Sequence, residues 1–327
     1  MPPSGYFFHS ISMQHTVTLA YDILYARYQL TDLDQAEVFM SDFGLVTVQR
    51  DASMLRMRAV HAAPFVYEAA HGPTNRFIGI GFAVESVAAL ERLAALPGSS
   101  PLRSLDGAAS GHLVRMTMPD GFEIDAVWDV EPPHAFGVRP PFAFNAGQRK
   151  QRANASVRQR PEPAPALRLG HVVLHVSDHA ASVAWLRERL GLLPSDHFGP
   201  PTGDARDATG TFLRVDRGSE LVDHHCLLVL QSDSVGVHHV SFEMQDLDHV
   251  MAAHDHLSER GWQLDCGVGR HLLGSQIYDY WRDPAGFRVE HYTDGDIINH
   301  AHQPSIFSGA ADETTQWGMA PSKEFFS

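Results

Sequence analysis

Short runs of alternating apolar and polar residues recur along the chain. In 171–176, Val172, Leu174 and Val176 share one face of an extended segment, and His171, Val173 and His175 share the other. In 237–244, His238, Val240, Phe242 and Met244 oppose His239, Ser241 and Glu243. In 287–292, Phe287, Val289 and His291 oppose Arg288, Glu290 and Tyr292. Each predicted strand has a mainly apolar face and a face rich in metal-ligand side chains. A sheet that packs helices on one side and curls around a polar cavity on the other gives this pattern. Between such strands the period changes to that of a helix. Asp178 can cap a helix through Val183, Leu186 and Leu190 that stops at Gly191. Asp246 can cap a second helix, Leu247 to Arg260, that stops at Gly261.

The pattern repeats. RYQLTDLDQAEVFMSDFGL (27–45) parallels VVLHVSDHAASVAWLRERLGL (172–192), and FIGIGFAVESVAALERLAAL (77–96) parallels HHVSFEMQDLDHVMAAHDHL (238–257). MPDGFEIDAVWD (118–129) parallels RDPAGFRVEHYTD (282–294). The repeating unit is βαβββ, present about four times. The expected class is α+β, with two domains of two βαβββ modules each. The expected division is an N-terminal domain over 1–130, a connector over 131–166, a C-terminal domain over 167–296 and a tail over 297–327. The connector is rich in Pro, Arg, Gln and Ala and lacks apolar periodicity in its central part. The tail would cover a cavity mouth, dock on a neighbouring subunit or simply fray.

Composition narrows the function. The 327 residues are 44% hydrophobic and 20% charged, an ordinary globular balance. A net charge of −14 argues against general nucleic-acid binding. No apolar run reaches the roughly 18 residues of a transmembrane helix, so no membrane partner is expected. The opening MPPSGYFFHSISMQH lacks a basic region followed by an apolar one, so no signal peptide is expected. Two cysteines, Cys226 and Cys266, make no disulfide framework and fit a cytoplasmic setting. The 21 histidines direct attention to metal ligands.

Three residues hold comparable places in the second half. His171 lies in the first strand of one unit, His239 in the first strand of the next, and Glu290 in the last strand. Two His and one carboxylate on one face of a metal leave three positions open, the facial triad of non-haem Fe(II) enzymes. Strand alternation turns His238 to the face opposite His239, which leaves it packing or a hydrogen bond behind the ligands, and His224 opposite His225. His175 shares a face with His171 but stands roughly 13 Å along the strand, too far to be a co-ligand. In the first half the repeats align Tyr25, Gly79 and Asp125 with the three, and no His pair results.

GHVVLHVSD (170–178), DHHCLLVL (223–230), VHHVSFEM (237–244) and RHLLGSQIYDYWRDPAGFRVEHYTDGD (270–296) resemble the type I extradiol ring-cleavage dioxygenases of the vicinal oxygen chelate superfamily. The resemblance is strong over roughly 167–296 and mainly architectural before it. It implies modules closed into an incomplete barrel around a cavity. It implies Fe(II), or in some members Mn(II), held by His171, His239 and Glu290. It also implies that His225 is an acid–base residue near the O2 position, and that His271 and Tyr280 contact the oxygens of a catecholic substrate. A homo-oligomer is the common assembly of the family. Two other readings compete: a metal-dependent isomerase or epimerase of the glyoxalase type, and a protein that only sequesters a ligand. The linker and the EHYTDGD stretch depart from the biphenyl-type members and point to a smaller or more polar catechol.

Overall fold

The computed structural model describes residues 20–61, 63–107, 110–131, 133–159, 162–200, 204–322 and 325. The stretch read for a signal peptide lies outside them. The N-terminal half runs β1 (Ala20–Leu30), α1 (Leu33–Asp42), β2 (Val46–Arg50), β3 (Met54–Arg58) and β4 (Tyr67–His71). It then repeats that order with β5 (Arg76–Val84), α2 (Val87–Ala94), β6 (Arg103–Ser104), β7 (His112–Thr117) and β8 (Glu123–Trp128). The C-terminal half runs β9 (Arg168–Val176), α3 (His179–Leu190), β10 (Leu193–Phe198), β11 (Gly210–Arg214), β12 (Val222–Asp223) and β13 (Leu227–Gln231). Its second module is β14 (Gly236–Glu243), α4 (Leu247–Glu259), β15 (Gln263–His271), β16 (Ile277–Arg282) and β17 (Arg288–Thr293). Beyond it lie β18 (Ile297–Ile298), β19 (Ser305–Phe307) and β20 (Thr315–Gly318).

The class is α+β, as expected. One sheet has the order β2-β3-β4-β1-β5-β8-β7-β6. The other has the order β19-β10-β11-β13-β9-β14-β17-β16-β15-β20. The first strands of the two modules pair antiparallel at each centre, β1 with β5 and β9 with β14. Each also pairs parallel with the last strand of its own module. Neither sheet closes on itself. β12 interrupts the third module and pairs with β18 in a separate ribbon.

Each helix starts where a strand ends on a side-chain cap. Asp32, Ser86, Asp178 and Asp246 accept from the backbone N–H of Gln35, Ala89, Ala181 and His249. Such a cap contributes about 1 kcal/mol. Gly191 ends α3 in the left-handed region, φ 70°, where a Cβ would be strained. No helix among the described residues is long and apolar enough to cross a membrane.

The apolar strand faces meet the helices in one core that spans both halves. It includes Phe39, Phe43 and Leu55 from the first half, and Val172, Leu174, Val240, Phe242 and Val289 from the second. Phe43 stacks on His291 with ring centroids 3.6 Å apart, and the Phe43 carbonyl accepts from His291 Nε2 at 2.7 Å. Burial pushes the His291 pKa down to about 4, so it packs as a neutral ring.

The described residues of 131–166 form no helix or strand. The segment is nonetheless tied down. Arg139 makes two 2.7 Å hydrogen bonds to Asp246, the cap of α4, and Ala166 N–H donates to Gly44 O. The tail embraces the larger sheet at both edges, through β19 on β10 and β20 on β15.

One close approach lies directly beneath the polar face. A Cβ on Gly170 would lie 2.2 Å from Tyr292 Oη, and the buried Tyr292 ring packs against His171 at 5.2 Å. Gly170→Ala is therefore expected to cost about 1–3 kcal/mol through overpacking and to displace His171. Thermal melts of the two proteins check this, and an unchanged Tm would mean that Tyr292 has room to move.

Candidate metal centre

The polar faces of β9, β14 and β17 bring three side chains to one point. His171 Nε2 lies 3.0 Å from Glu290 Oε2, His239 Nε2 lies 3.3 Å from the same oxygen, and the two nitrogens are 3.3 Å apart. The strand register accounts for this. Ser241 pairs with His171 on one side and with Glu290 on the other, while His239 pairs with Val173. The small Ser241 thus sits between the flanking ligand strands. All three candidate ligands are buried.

The donor set fits a divalent cation. Neither carboxylate oxygen of Glu290 receives a hydrogen bond of good geometry, although the residue is wholly buried. Burial acts to raise its pKa, but contacts from His171, His239 and His271 outweigh that and hold it well below the usual value. Burial pushes His239 down to about 4 despite the pull of Glu290. The site therefore gathers a carboxylate and a neutral imidazole with no proton to share between them. Cis ligands on an octahedral metal with bonds of roughly 2.1 Å stand roughly 3 Å apart, close to the spacing seen.

His239 is braced from behind, where the structure departs from the alternation read in the sequence. Val237 pairs with Leu174 and His239 with Val173, so His238 is an extra residue in a β-bulge. The bulge brings the neighbouring rings together instead of opposing them, and His238 Nδ1 lies 2.6 Å from His239 Nδ1. A hydrogen bond there fixes the ring and leaves Nε2 for a metal. His238 Nε2 contacts the carbonyl of Phe325 in the tail. His175 packs against His238 and stands apart from the three.

The other predicted residues surround the same point. His225 packs against His171 with ring centroids 4.3 Å apart. It follows β12 and precedes β13, outside either strand, so alternation does not apply, and His224 contacts it instead of opposing it. His271 Nε2 lies 2.7 Å from Tyr280 Oη and 3.8 Å from Glu290 Oε1. Burial, and then the Glu290 charge, push the Tyr280 pKa well above 10, so it remains a phenol. His171, His225, His271 and Tyr280 all line one narrow cavity. Its remaining walls are Phe198, Phe212, Leu228, Leu273, Gln276 and Thr314, none of them anticipated from sequence. Gln276 is buried with its Oε1 unpaired. No periodicity marks these wall residues, because they come from five separate segments.

The first half repeats this frame with different contents. Tyr25 pairs with Gly81 as His171 pairs with Ser241, and Arg27 with Gly79 as Val173 with His239. Gly81 pairs with Asp125 as Ser241 does with Glu290, and Arg115 stands opposite Asp125 as Tyr280 stands opposite Glu290. The three aligned positions are thus Tyr25, Gly79 and Asp125. There Tyr25 Oη donates to Asp125 at 3.0 Å, and the Arg115 guanidinium holds both carboxylate oxygens at 2.6 and 2.8 Å. Arg27 links Glu68 and Glu123 at 2.9 and 2.6 Å.

Comparison with known proteins adds to this geometry. Residues 168–291 match the Glyoxalase/Bleomycin resistance protein/Dioxygenase superfamily. Metapyrocatechase 2 of Cupriavidus necator is 28% identical over 296 residues, covering 89% of this chain and 86% of that protein. An iron-dependent extradiol dioxygenase of Rhodococcus jostii (strain RHA1) is 28% identical over 131 residues, 39% of this chain and 43% of that one. Among solved structures, the Mn(II)-bound glyoxalase from Novosphingobium aromaticivorans superposes with a TM-score of 0.77 at 23% identity, covering 94% of each chain. A 2,3-dioxygenase from Pseudomonas sp. KL28 superposes with a TM-score of 0.71 at 22% identity, covering 89% of this chain and 98% of that one. At these identities the structural likeness speaks to the fold.

Proposed function

We propose that this chain, a member of the glyoxalase/bleomycin resistance protein/dioxygenase superfamily, is an Fe(II)-dependent extradiol dioxygenase that opens the ring of a catecholic substrate with O2. The observation that carries this reading is the convergence of His171, His239 and Glu290 on one point, with His225, His271 and Tyr280 around the same cavity. His171, His239 and Glu290 would hold the metal. Bound there, Fe(II) supplies a Lewis-acid template for the two ring oxygens and electron transfer toward O2, and Mn(II) would suit the same donors.

The chain's own groups do the rest. Tyr280 stays protonated and donates its O–H, while His271, 2.7 Å from it, offers a second polar contact beside Glu290. Together they orient the substrate oxygens. Orientation of this kind removes much of the entropy of bringing reactants together. His225 is buried, and desolvation followed by the charges of His171 and His224 lowers its pKa well below 6.5. It is a neutral ring at pH 7, able to take up a substrate proton and return it. Phe198, Phe212, Leu228 and Leu273 exclude water from the ring of the substrate.

Among the described residues no Lys or Arg lines this cavity. A carboxylate on the substrate would find no counter-charge, which favours an uncharged, single-ring catechol. The glyoxalase-type isomerase is the weaker reading, because such enzymes usually use four protein ligands and the group here offers three. The two free, buried thiols fit a cytoplasmic enzyme, and the family resemblance suggests a homo-oligomer.

Oxygen uptake by anaerobically Fe(II)-loaded protein tests the proposal. With catechol and alkylcatechols, uptake should match one-to-one the appearance of a yellow ring-opened product, and protocatechuate should react more slowly. No uptake with stoichiometric iron and several catechols would overturn the dioxygenase reading.

A further inference from the structure

Behind His225 lies a run of polar contacts that the three candidate ligands do not use. Asp196, on β10, is buried. Its Oδ1 accepts from Ser305 N–H at 2.6 Å and Ser305 Oγ–H at 2.7 Å. Its Oδ2 lies 2.8 Å from His224 Nε2. The other ring nitrogen of His224, Nδ1, lies 3.1 Å from His225 Nδ1, with the two rings perpendicular at 90°. His225 lines the cavity and packs against His171. The run therefore reaches from Asp196 through two imidazoles to the candidate active site.

The order of protons along it follows from the end group. A carboxylate can only accept. Burial acts to raise the Asp196 pKa, but hydrogen bonds from His224 and Ser305 outweigh it and keep the group ionised. His224 must then carry a proton on Nε2, and a singly protonated imidazole offers its other nitrogen, here Nδ1, as a lone pair. His225 Nδ1, facing that lone pair, must donate. The single proton of a neutral His225 is thereby committed, and its Nε2 is bare.

We propose that Asp196 and His224 are a positioning pair that sets the tautomer of His225, so that its free nitrogen meets the substrate as a proton acceptor. This rests on the reading of His225 as the acid–base residue and specifies where its proton comes from. A catechol O–H breaks as it transfers its proton to His225 Nε2, and the electron pair of that bond stays on the ring oxygen. The imidazolium is steadied through His224 by the Asp196 charge. The same proton is returned to the ring-opened product, so none is gained or lost. Asp196, His224 and His302 also bring ligating atoms within 4.8 Å of one another. His302 Nε2, however, donates to Ser195 O at 2.9 Å, and three donors already occupy the Asp196 carboxylate.

The test reads the tautomer directly. Nitrogen NMR of full-length, metal-free protein carrying 15N-histidine, with His225 identified by the signals lost in His225→Gln, should show Nδ1 protonated and Nε2 bare. In Asp196→Asn the amide can donate to His224, and the His225 pattern should reverse or become mixed. The iron-loaded variant should keep its iron and its KM and lose roughly 10²-fold or more in kcat. His224→Gln leaves the Asp196–Ser305 tie in place and should have the same effect, which covers misfolding of the first variant. A wild-type His225 protonated on Nε2 would overturn the proposal, as would variants with unaltered tautomer and rate. The NMR result stands even if no catechol is turned over, so failure of the dioxygenase reading is told apart from failure of the pair.

Discussion

Glu290→Ala protein should fold, bind less than a tenth of the Fe(II) that the wild type retains after desalting, and show no measurable oxygen uptake with catechol. Glu290 is the candidate ligand whose carboxylate faces both histidine nitrogens, at 3.0 and 3.3 Å. Without it, two imidazoles would have to hold the cation unaided. The folded state should lose some stability without unfolding, because the contacts of the carboxylate with His171, His239 and His271 outweigh its burial cost. Alanine also leaves a small gap where the side chain was. Metal analysis, oxygen-electrode rates and a thermal melt on one preparation check all three statements. Stoichiometric iron and full activity in this variant would falsify the triad.

His225→Ala separates binding from chemistry. Its ring touches His171 but supplies none of the three converging atoms, so iron content should remain near wild type. The rate with catechol should fall roughly 10²–10⁴-fold, the usual worth of a positioned acid–base group. KM for catechol should change much less, since His271 and Tyr280 remain to orient the oxygens. Steady-state kinetics beside metal analysis check this. A large loss of iron would instead make His225 a support for His171.

The faces of His171 and Glu290 were legible because period-two alternation holds along their strands. His171 and Glu290 sit on β9 and β17, where Val172, Leu174 and Val289 go to the core as alternation requires. The face of His238, though not its hydrogen-bonding role, was misread because a bulge inserts one residue without a Gly or Pro to mark it. The placement of His224 failed for another reason: it lies between strands, where alternation has no meaning. Asp196 left no signal, since it meets its partner 28 residues further on, through a pairing of β10 and β11 that composition does not reveal. The connector's lack of periodicity was visible, but the Arg139–Asp246 tie was not, being set by where the chain crosses the N-terminus of α4.

Arg115 gives the first half a property that the second half lacks. Its guanidinium is a permanent, covalently tethered cation lying against Asp125 at the position that answers to Glu290. A tethered cation cannot be chelated away, oxidised or displaced by a competing ion. A newly synthesised chain therefore reaches its folded state with the Asp125 charge already balanced, whatever the supply of iron. On the function proposed above, it is the Glu290 cluster that takes an external ion, so the burden of folding ahead of metal delivery falls on one half of a duplicated frame.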